Sequence, residues 1–366
     1  MKYAANKLFF PIILAALLVG CASDPTDYSN YPAAVYPNPS PSPQSPYQTK
    51  QPPKPITNNR SSNGYYQSRP SYNSDSYNNY GGSSNYADNY AVRDFIRYMT
   101  NKHGFSESYL TSLFSRAQRL DSVIRLEAPA PSTSKSSKNH YGSWSRYRSK
   151  FMDSQHIQNG VQFWRENATT LQHASETYGV DPEYIVGIIG VETYFGRNIG
   201  KTCVFDALTT LSFDTHRRSK YFMSELEHFL LMSREEGYEP RELVGSWAGA
   251  MGLGQFMPSS FRKLAVDFDR NGRRDLWHAK DAIGSVAHYF SKNGWQYHNP
   301  VTEEVDGPYG DSVIELSTYE GDEYWQTHHN FKVIKRYNNS NKYAMAVHQL
   351  AQAIKQQYSY SSYSER

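Results

Sequence analysis

A glutamate on the apolar face of a predicted helix is the residue of this sequence best suited to acid–base chemistry. The helix begins at Asp181, its apolar residues in YIVGIIGVETYF recur every three or four positions, and it ends at Gly196. Glu192 lies on this stripe near the carboxyl end, where burial and the helix dipole both raise the pKa of a carboxyl. A carboxyl that stays protonated near neutral pH can act as a general acid. The alternative is a structural ion pair with Arg197 or Arg217.

An acidic loop further along the chain is the second candidate site. Oxygen ligands stand at positions 1, 3, 5 and 9 of a loop that starts at Asp267, with Gly272 at position 6, the EF-hand pattern for Ca²⁺. Position 12 is His278, and imidazole is a poor ligand for a hard cation. We therefore expect either a weak Ca²⁺ site or a turn rich in Asp and Gly that holds no metal. The predicted ligands are Asp267, Asp269, Asn271, Arg273, Asp275 and His278.

Composition excludes several classes of protein. The chain has 366 residues with 38 Lys and Arg against 35 Asp and Glu, so its net charge of +3 does not suit a uniformly basic nucleic-acid-binding protein. Only Cys21 and Cys203 could form a disulfide, which excludes a disulfide framework. The sequence contains neither a zinc-binding signature nor a glycine-rich phosphate loop after a strand.

The first 21 residues read as an export signal. Its apolar run is too short to span a bilayer, and LVGC resembles the lipobox of bacterial lipoproteins, in which Cys21 would be lipidated. The alternative is an ordinary secretory peptide. Because no Asp follows Cys21, the resemblance favours the outer membrane, and we expect a periplasmic protein anchored there.

Residues 22–91 are rich in Pro, Ser, Asn and Tyr and have no helical or strand period. Such a segment cannot offset its ordering entropy, so we predict a disordered tether. A rival interpretation is a prion-like, RNA-associated segment, but export argues against RNA.

The rest of the chain predicts an α+β domain that is predominantly helical. Helical periodicity dominates up to about residue 293, short β-branched runs such as SVIEL and FKVIKRY follow, and a helix closes the domain before a disordered tail. The predicted helices cover 92–104, 106–117, 159–178, 181–196 and 342–357, the strands fall within 301–337, and the tail is 358–366.

Five segments in order resemble the lytic murein transglycosylase B family of bacterial enzymes, which have a lysozyme-like fold. They are GVETYFGRNIGKT, DALTTLSFDTHRR, GSWAGAMGLGQFMPSSF, IGSVAHYFSKNGW and RYNNSNKYAMAVHQL. The resemblance covers residues 92–357. It implies that Glu192 is the catalytic acid and base, acting on the bond between N-acetylmuramic acid and N-acetylglucosamine in peptidoglycan strands. It implies no cofactor for the chemistry, and we expect a monomer.

The same resemblance implies a substrate groove. Ser246 and Gln255 would hydrogen-bond near Glu192, while aromatic and sulfur side chains would line the sugar subsites. Only one of two adjacent arginines would reach the ligand, because neighbours on a helix point in different directions. The implied groove residues are Ser246, Gln255, Phe256, Met257, Arg217, Arg218, Tyr289 and Tyr337.

No second carboxylate in these motifs has a claim comparable with that of Glu192. Asp206 precedes an apolar run as an N-cap residue would, and Asp214 lies in a turn. A single acid suits lytic transglycosylation, whereas ordinary glycosidases place two carboxylates across the bond. The predicted product is a 1,6-anhydromuramyl end. The alternatives are a hydrolysing muramidase and a noncatalytic wall-binding lipoprotein.

Overall fold

The computed structural model describes residues 85–129 and 141–364. Predictions about the export signal, Cys21 and residues 22–84 lie outside the described residues. The described residues contain a 3-10 turn at Tyr86–Asp88, thirteen α-helices and five strands. None of the helices in this part of the chain is long and apolar enough to cross a membrane.

The helices are α1 (Tyr90–His103), α2 (Glu107–Ser115), α3 (Asp121–Glu127), α4 (Ser143–Arg148), α5 (Ser154–Glu166), α6 (Ala168–Tyr178), α7 (Pro182–Thr193), α8 (Val204–Phe213), α9 (Ser219–Glu236), α10 (Pro258–Leu264), α11 (Ala279–Lys292), α12 (His329–Tyr337) and α13 (Asn341–Ser364). The strands are β1 (Thr202–Cys203), β2 (Val244–Gly245), β3 (Thr302–Val305), β4 (Val313–Ser317) and β5 (Asp322–Thr327).

Helix α7 lies in the centre of the domain. All of its residues from Glu183 to Thr193 are buried, because α5, α6, α11 and α13 surround it. Two glycines allow α13 to approach closely: a Cβ on Gly187 would lie 3.0 Å from the Val347 carbonyl, and one on Gly190 would lie 2.9 Å from Leu350. The helix that carries Glu192 is therefore fixed from several sides.

Two small antiparallel sheets complete the domain. Strands β1 and β2 pair with each other, and Cys203 lies opposite Val244. This pairing joins the segment after α7 to the start of the glycine-rich segment, residues 245–256. The other sheet has the order β3-β5-β4, and β4 packs against α4. The predicted fold class, predominantly helical with a small β-containing part near the C-terminus, is confirmed.

Two local predictions are wrong. The β-branched run FKVIKRY is helix α12, in which Phe331, Val333 and Ile334 are buried, so tertiary packing overrides strand propensity. The predicted helix 159–178 is two helices, α5 and α6, which meet at Asn167. The Asn167 side chain donates to the Phe163 carbonyl at 2.9 Å and so caps the end of α5.

The described structure also differs from the predicted limits of the domain. Tyr86 falls within the predicted tether, yet its side chain is buried and its hydroxyl donates to Asp214. Helix α13 continues through Ser364, whereas the sequence predicts a tail from residue 358. The polar composition of these two terminal segments predicts disorder, but a few contacts to the core suffice to order them.

Candidate active site

Glu192 lies in the last turn of α7 and is only 8% exposed. The Tyr343 hydroxyl, on α13, donates a hydrogen bond of 2.6 Å to its Oε1 atom. Burial raises the pKa of Glu192 from 4.5 to about 7, and the hydrogen bond from Tyr343 acts in the opposite direction. Near neutral pH this carboxyl can therefore both release and accept a proton.

The chain turns sharply after Glu192. Tyr194 and Phe195 both adopt left-handed backbone conformations, with φ of 52° and 59°, which are unfavourable for bulky residues. Asn159 donates to the Tyr194 hydroxyl at 2.6 Å, and the Thr193 hydroxyl donates to the Leu253 carbonyl at 2.9 Å. These contacts from outside the helix hold the turn and end α7 directly beyond Glu192.

Three tyrosines from different helices lie close to the Glu192 carboxyl. Its charge contributes to the raised pKa values of Tyr147 on α4, Tyr337 on α12 and Tyr343 on α13, after the larger effect of burial. For Tyr147 the pKa is raised to about 12. All three hydroxyls therefore stay protonated at neutral pH and can donate hydrogen bonds.

Sequence reasoning missed Tyr147 and Tyr343. Tyr343 stands in the segment RYNNSNKYAMAVHQL, so the signal that singled out Tyr337 lay beside it. Tyr147 gave no signal, because it follows a breaker-rich loop and reaches Glu192 only through tertiary packing.

The glycine-rich segment 245–256 forms turns and isolated bridges. Within it the Ser246 hydroxyl accepts from the Ala250 amide at 3.0 Å. Gln255 has a φ of 51°, and its side-chain amide donates to the Gly252 carbonyl at 2.9 Å and to the Ile199 carbonyl at 3.3 Å. Both predicted polar residues therefore fix the shape of this segment through backbone groups.

Three of the predicted groove aromatics form one cluster. The Phe256 ring centroid lies 5.9 Å from that of Tyr289 and 5.9 Å from that of Tyr337, and the two tyrosine rings are 4.6 Å apart. The Tyr337 hydroxyl donates to the Gly254 carbonyl, which ties α12 to the glycine-rich segment. Met257 follows as the N-cap residue of α10 and is half-buried. Tyr337 links this cluster to Glu192.

The two predicted arginines are both bound to another side chain. Glu127, on α3, is buried, and its Oε1 atom lies 3.0 Å from Arg218 Nε and 3.1 Å from an Arg217 guanidinium nitrogen. This interaction compensates the buried carboxylate. A contact of either arginine with substrate would compete with Glu127.

The hypothesis that Glu192 forms a buried ion pair is wrong. Within the described ranges no Arg or Lys forms a salt bridge with Glu192. Arg217 pairs with Glu127, and the Arg197 guanidinium lies over the Tyr194 ring, 5.7 Å from its centroid. Glu192 is therefore buried without a cationic partner from this part of the chain.

The two other acids that the sequence offered have structural partners. Asp206 accepts from the Gln118 amide at 3.1 Å and faces Arg241, while Asp214 accepts from the Tyr86 hydroxyl. Both carboxylates hold the N-terminal segments to α8.

The acidic loop brings three carboxylates together. One ligand atom from each of Asp267, Asp269 and Asp281 lies within 4.8 Å of the others. The loop backbone is fixed by the same side chains: the Gly272 amide donates to Asp267 at 2.8 Å, and the Asp275 amide donates to Asp281 at 2.8 Å. This set of hard oxygen atoms suits Ca²⁺.

The predicted ligand set for this loop differs from the cluster. Asp281, in the first turn of α11, was missed because it lies beyond position 12, and His278 is half-exposed with its Nδ1 atom 3.7 Å from Asp269. The Asn271 side chain accepts from the Arg273 amide at 3.0 Å, and Asp275 accepts from the Trp277 amide at 2.9 Å. These side chains therefore stabilise turns within the loop, outside the carboxylate cluster.

Comparison with known proteins identifies the class of protein. The family model described as a transglycosylase SLT domain matches residues 87–314 and 309–352, so the chain belongs to this family. It is 46% identical over 302 residues to the membrane-bound lytic murein transglycosylase B of Escherichia coli strain K12. That alignment covers 74% of this chain and 84% of the relative.

Solved structures agree with this assignment. The Escherichia coli lytic transglycosylase SLT35 in complex with bulgecin A matches with a TM-score of 0.69 and 44% identity, covering 75% of this chain and 95% of that one. SLT35 in complex with calcium matches with a TM-score of 0.68 and 43% identity, with the same coverage. The predicted family is confirmed.

The raised pKa of Glu192 predicts a pH-dependent cost to stability. Because folding raises this pKa from 4.5 to about 7, wild type loses stability as pH rises through that window. The Glu192→Gln side chain cannot ionise. Between pH 4 and pH 8 the free energy of unfolding of the variant should therefore rise by about 3 kcal/mol relative to that of wild type. Chemical denaturation of both proteins at several pH values measures the difference, and parallel stability curves would contradict it.

Proposed function

We propose that this chain cleaves the glycan strands of peptidoglycan between N-acetylmuramic acid and N-acetylglucosamine, leaving 1,6-anhydromuramyl ends. The observation that carries the proposal is the buried carboxyl of Glu192, whose pKa is raised to about 7 and which accepts a hydrogen bond from Tyr343. Membership of the transglycosylase family supplies the substrate class.

In the first step the protonated Glu192 carboxyl gives its proton to the glycosidic oxygen, and the bond from this oxygen to the muramyl anomeric carbon breaks. Glu192 is then a carboxylate, which the Tyr343 hydroxyl stabilises by donating to it. In the second step the oxygen of the muramyl 6-hydroxyl bonds to the anomeric carbon, and Glu192 takes the proton of this hydroxyl. The proton returns to Glu192, and no water is consumed.

A hydrolysing muramidase is the less favoured alternative. Hydrolysis by two carboxylates needs a second acid across the scissile bond. Asp206 and Asp214, the nearest candidates in sequence, are held by Gln118 and Tyr86. Tyrosines surround Glu192 instead, and these supply hydrogen-bond donors without a second negative charge.

The groove assignments carry over as parts of this proposal. Tyr337 and Phe256 line the sugar subsites together with Tyr289, and Met257 extends that wall. Ser246 and Gln255 fix the turns of the glycine-rich segment that carries Phe256. Aromatic rings and fixed backbone dipoles are the groups that bind sugars of low charge.

The expected result for Glu192→Gln is a loss of turnover of roughly a thousandfold, because the amide cannot donate and retrieve a proton. The assay incubates purified sacculi with the enzyme and identifies the soluble products by mass spectrometry. Anhydro ends support transglycosylation, whereas reducing ends, heavier by one water, would show hydrolysis.

Tyr343→Phe is a second test, since it removes the hydroxyl that donates to Glu192 and keeps the carboxyl itself. Loss of its hydrogen bond raises the pKa of Glu192 further, so the alkaline limb of the profile of kcat/KM against pH should move to higher pH. An unchanged limb would mean that Glu192 does not control the pH dependence.

We infer that the protein is anchored to the outer membrane from the periplasmic side through lipid on Cys21, and that it acts there as a monomer on the wall. The predicted export signal supports this, as does the Escherichia coli relative, a membrane-bound lytic murein transglycosylase B. Cys21→Ser should release the protein from the membrane fraction. Membrane recovery equal to that of wild type would exclude this anchor.

We also propose that Ca²⁺ binds the cluster Asp267, Asp269 and Asp281 and stabilises the domain, because an ion that binds only the folded state raises the melting temperature. A calcium complex of SLT35 supports this. Asp267→Asn should abolish the difference between thermal melts with Ca²⁺ and with chelator. His278→Asp tests position 12 and should change the difference little, because the His278 side chain lies 3.7 Å from Asp269 but supplies no atom to the cluster.

A chelator-insensitive melting temperature in wild type would show that the loop is a structural turn. A large gain from His278→Asp would instead place the missing ligand at position 12, as the sequence alone suggested.

A further inference from the structure

Lys342 lies in an electrostatically unfavourable place. The Ser340 hydroxyl accepts from the Tyr343 amide at 3.3 Å, so Lys342 is in the first turn of α13. The positive end of the helix dipole disfavours a cation there. The Lys342 ammonium donates to the Ser143 hydroxyl on α4 at 2.8 Å, a neutral partner.

Two further effects act against this charge. Lys342 is half-buried, and burial together with the positive charge of Arg146 lowers its pKa. Across residues 85–129 and 141–364, Lys342 forms no salt bridge with a carboxylate. A cation that its own fold disfavours in this way is typical of a position kept for a ligand.

The two helices that position the ammonium group, α4 and α13, also carry side chains that reach the proposed catalytic carboxyl. The partner of the ammonium, Ser143, stands four residues before Tyr147 on α4, so the two share one face about 6 Å apart along the axis. Tyr147 is close enough to feel the charge of Glu192, and Tyr343, the residue after Lys342, donates to Glu192 directly. Both helices that position Lys342 therefore also place a tyrosine beside Glu192.

We propose that Lys342 is a substrate-binding residue that pairs with a carboxylate of the peptide attached to the muramyl sugar. This inference rests on the proposed function, since it assigns a recognition element within that substrate. The two amino sugars of the strand offer neutral amides and hydroxyls, whereas the peptide supplies anions beside the bond to be cleaved. Arg217 and Arg218 are already bound to the Glu127 carboxylate, whereas the partner of Lys342 in the described residues is the neutral Ser143 hydroxyl.

Lys342→Met tests the assignment with two forms of one substrate. Glycan strands with their peptides are compared with strands from which an amidase has removed them, and kcat/KM is measured on each. The ratio of the two values should fall roughly tenfold in the variant, mainly through KM on the peptide-bearing strands, as expected for one charge-assisted hydrogen bond. Lys332→Met, an exposed lysine on α12, is the matched control and should leave the ratio unchanged.

Lys342→Arg keeps the charge and should recover most of the ratio. Equal losses on both substrates would show that Lys342 only supports the fold, and an unchanged ratio would also overturn the inference. If wild type releases anhydro ends from neither substrate, the proposed function itself fails, which is a different result from an altered ratio.

Discussion

The Glu192 carboxyl is buried and forms no ion pair with a cation in residues 85–129 and 141–364, and the rest of the domain depends on this constraint. A lone carboxylate in a low-dielectric interior is unfavourable, and the protein responds by raising the pKa of Glu192 to about 7. The hydrogen bond from the Tyr343 hydroxyl favours the charged form, but its effect on the pKa is smaller than that of burial. The carboxyl can therefore exist in both protonation states near neutral pH, as a group that acts first as acid and then as base requires.

Keeping that carboxyl buried requires close packing around α7. Gly187 and Gly190 let α13 lie against α7, and α13 then brings Tyr343 to Glu192. The left-handed turn at Tyr194 and Phe195 costs free energy and is held by contacts from other segments. Rigidity at this point preserves the distance between the Glu192 carboxyl and the Tyr343 hydroxyl on which the proposed chemistry depends.

The acidic loop and the glycine-rich segment are packed against each other. The Leu253 amide donates to the Leu276 carbonyl at 2.8 Å, and Trp277 Nε1 donates to the Val244 carbonyl at 3.0 Å. A Cβ on Gly252 would lie 2.4 Å from that of Leu276, so only glycine permits this approach. The loop that carries Asp267 and Asp269 therefore supports the segment that contains Gln255.

Local pattern and tertiary packing determined different parts of the protein. Periodicity and helix-start residues were enough to place Glu192 at the buried end of α7, because both depend on neighbours within a few positions. Resemblance in five segments indicated the family. The tyrosines around Glu192 and the role of Asp281 come from the tertiary structure, since Tyr147, Tyr343 and Glu192 are distant in sequence. Helix α12 shows the same limit: its β-branched residues favour a strand locally, and burial of one helical face against the core decides otherwise.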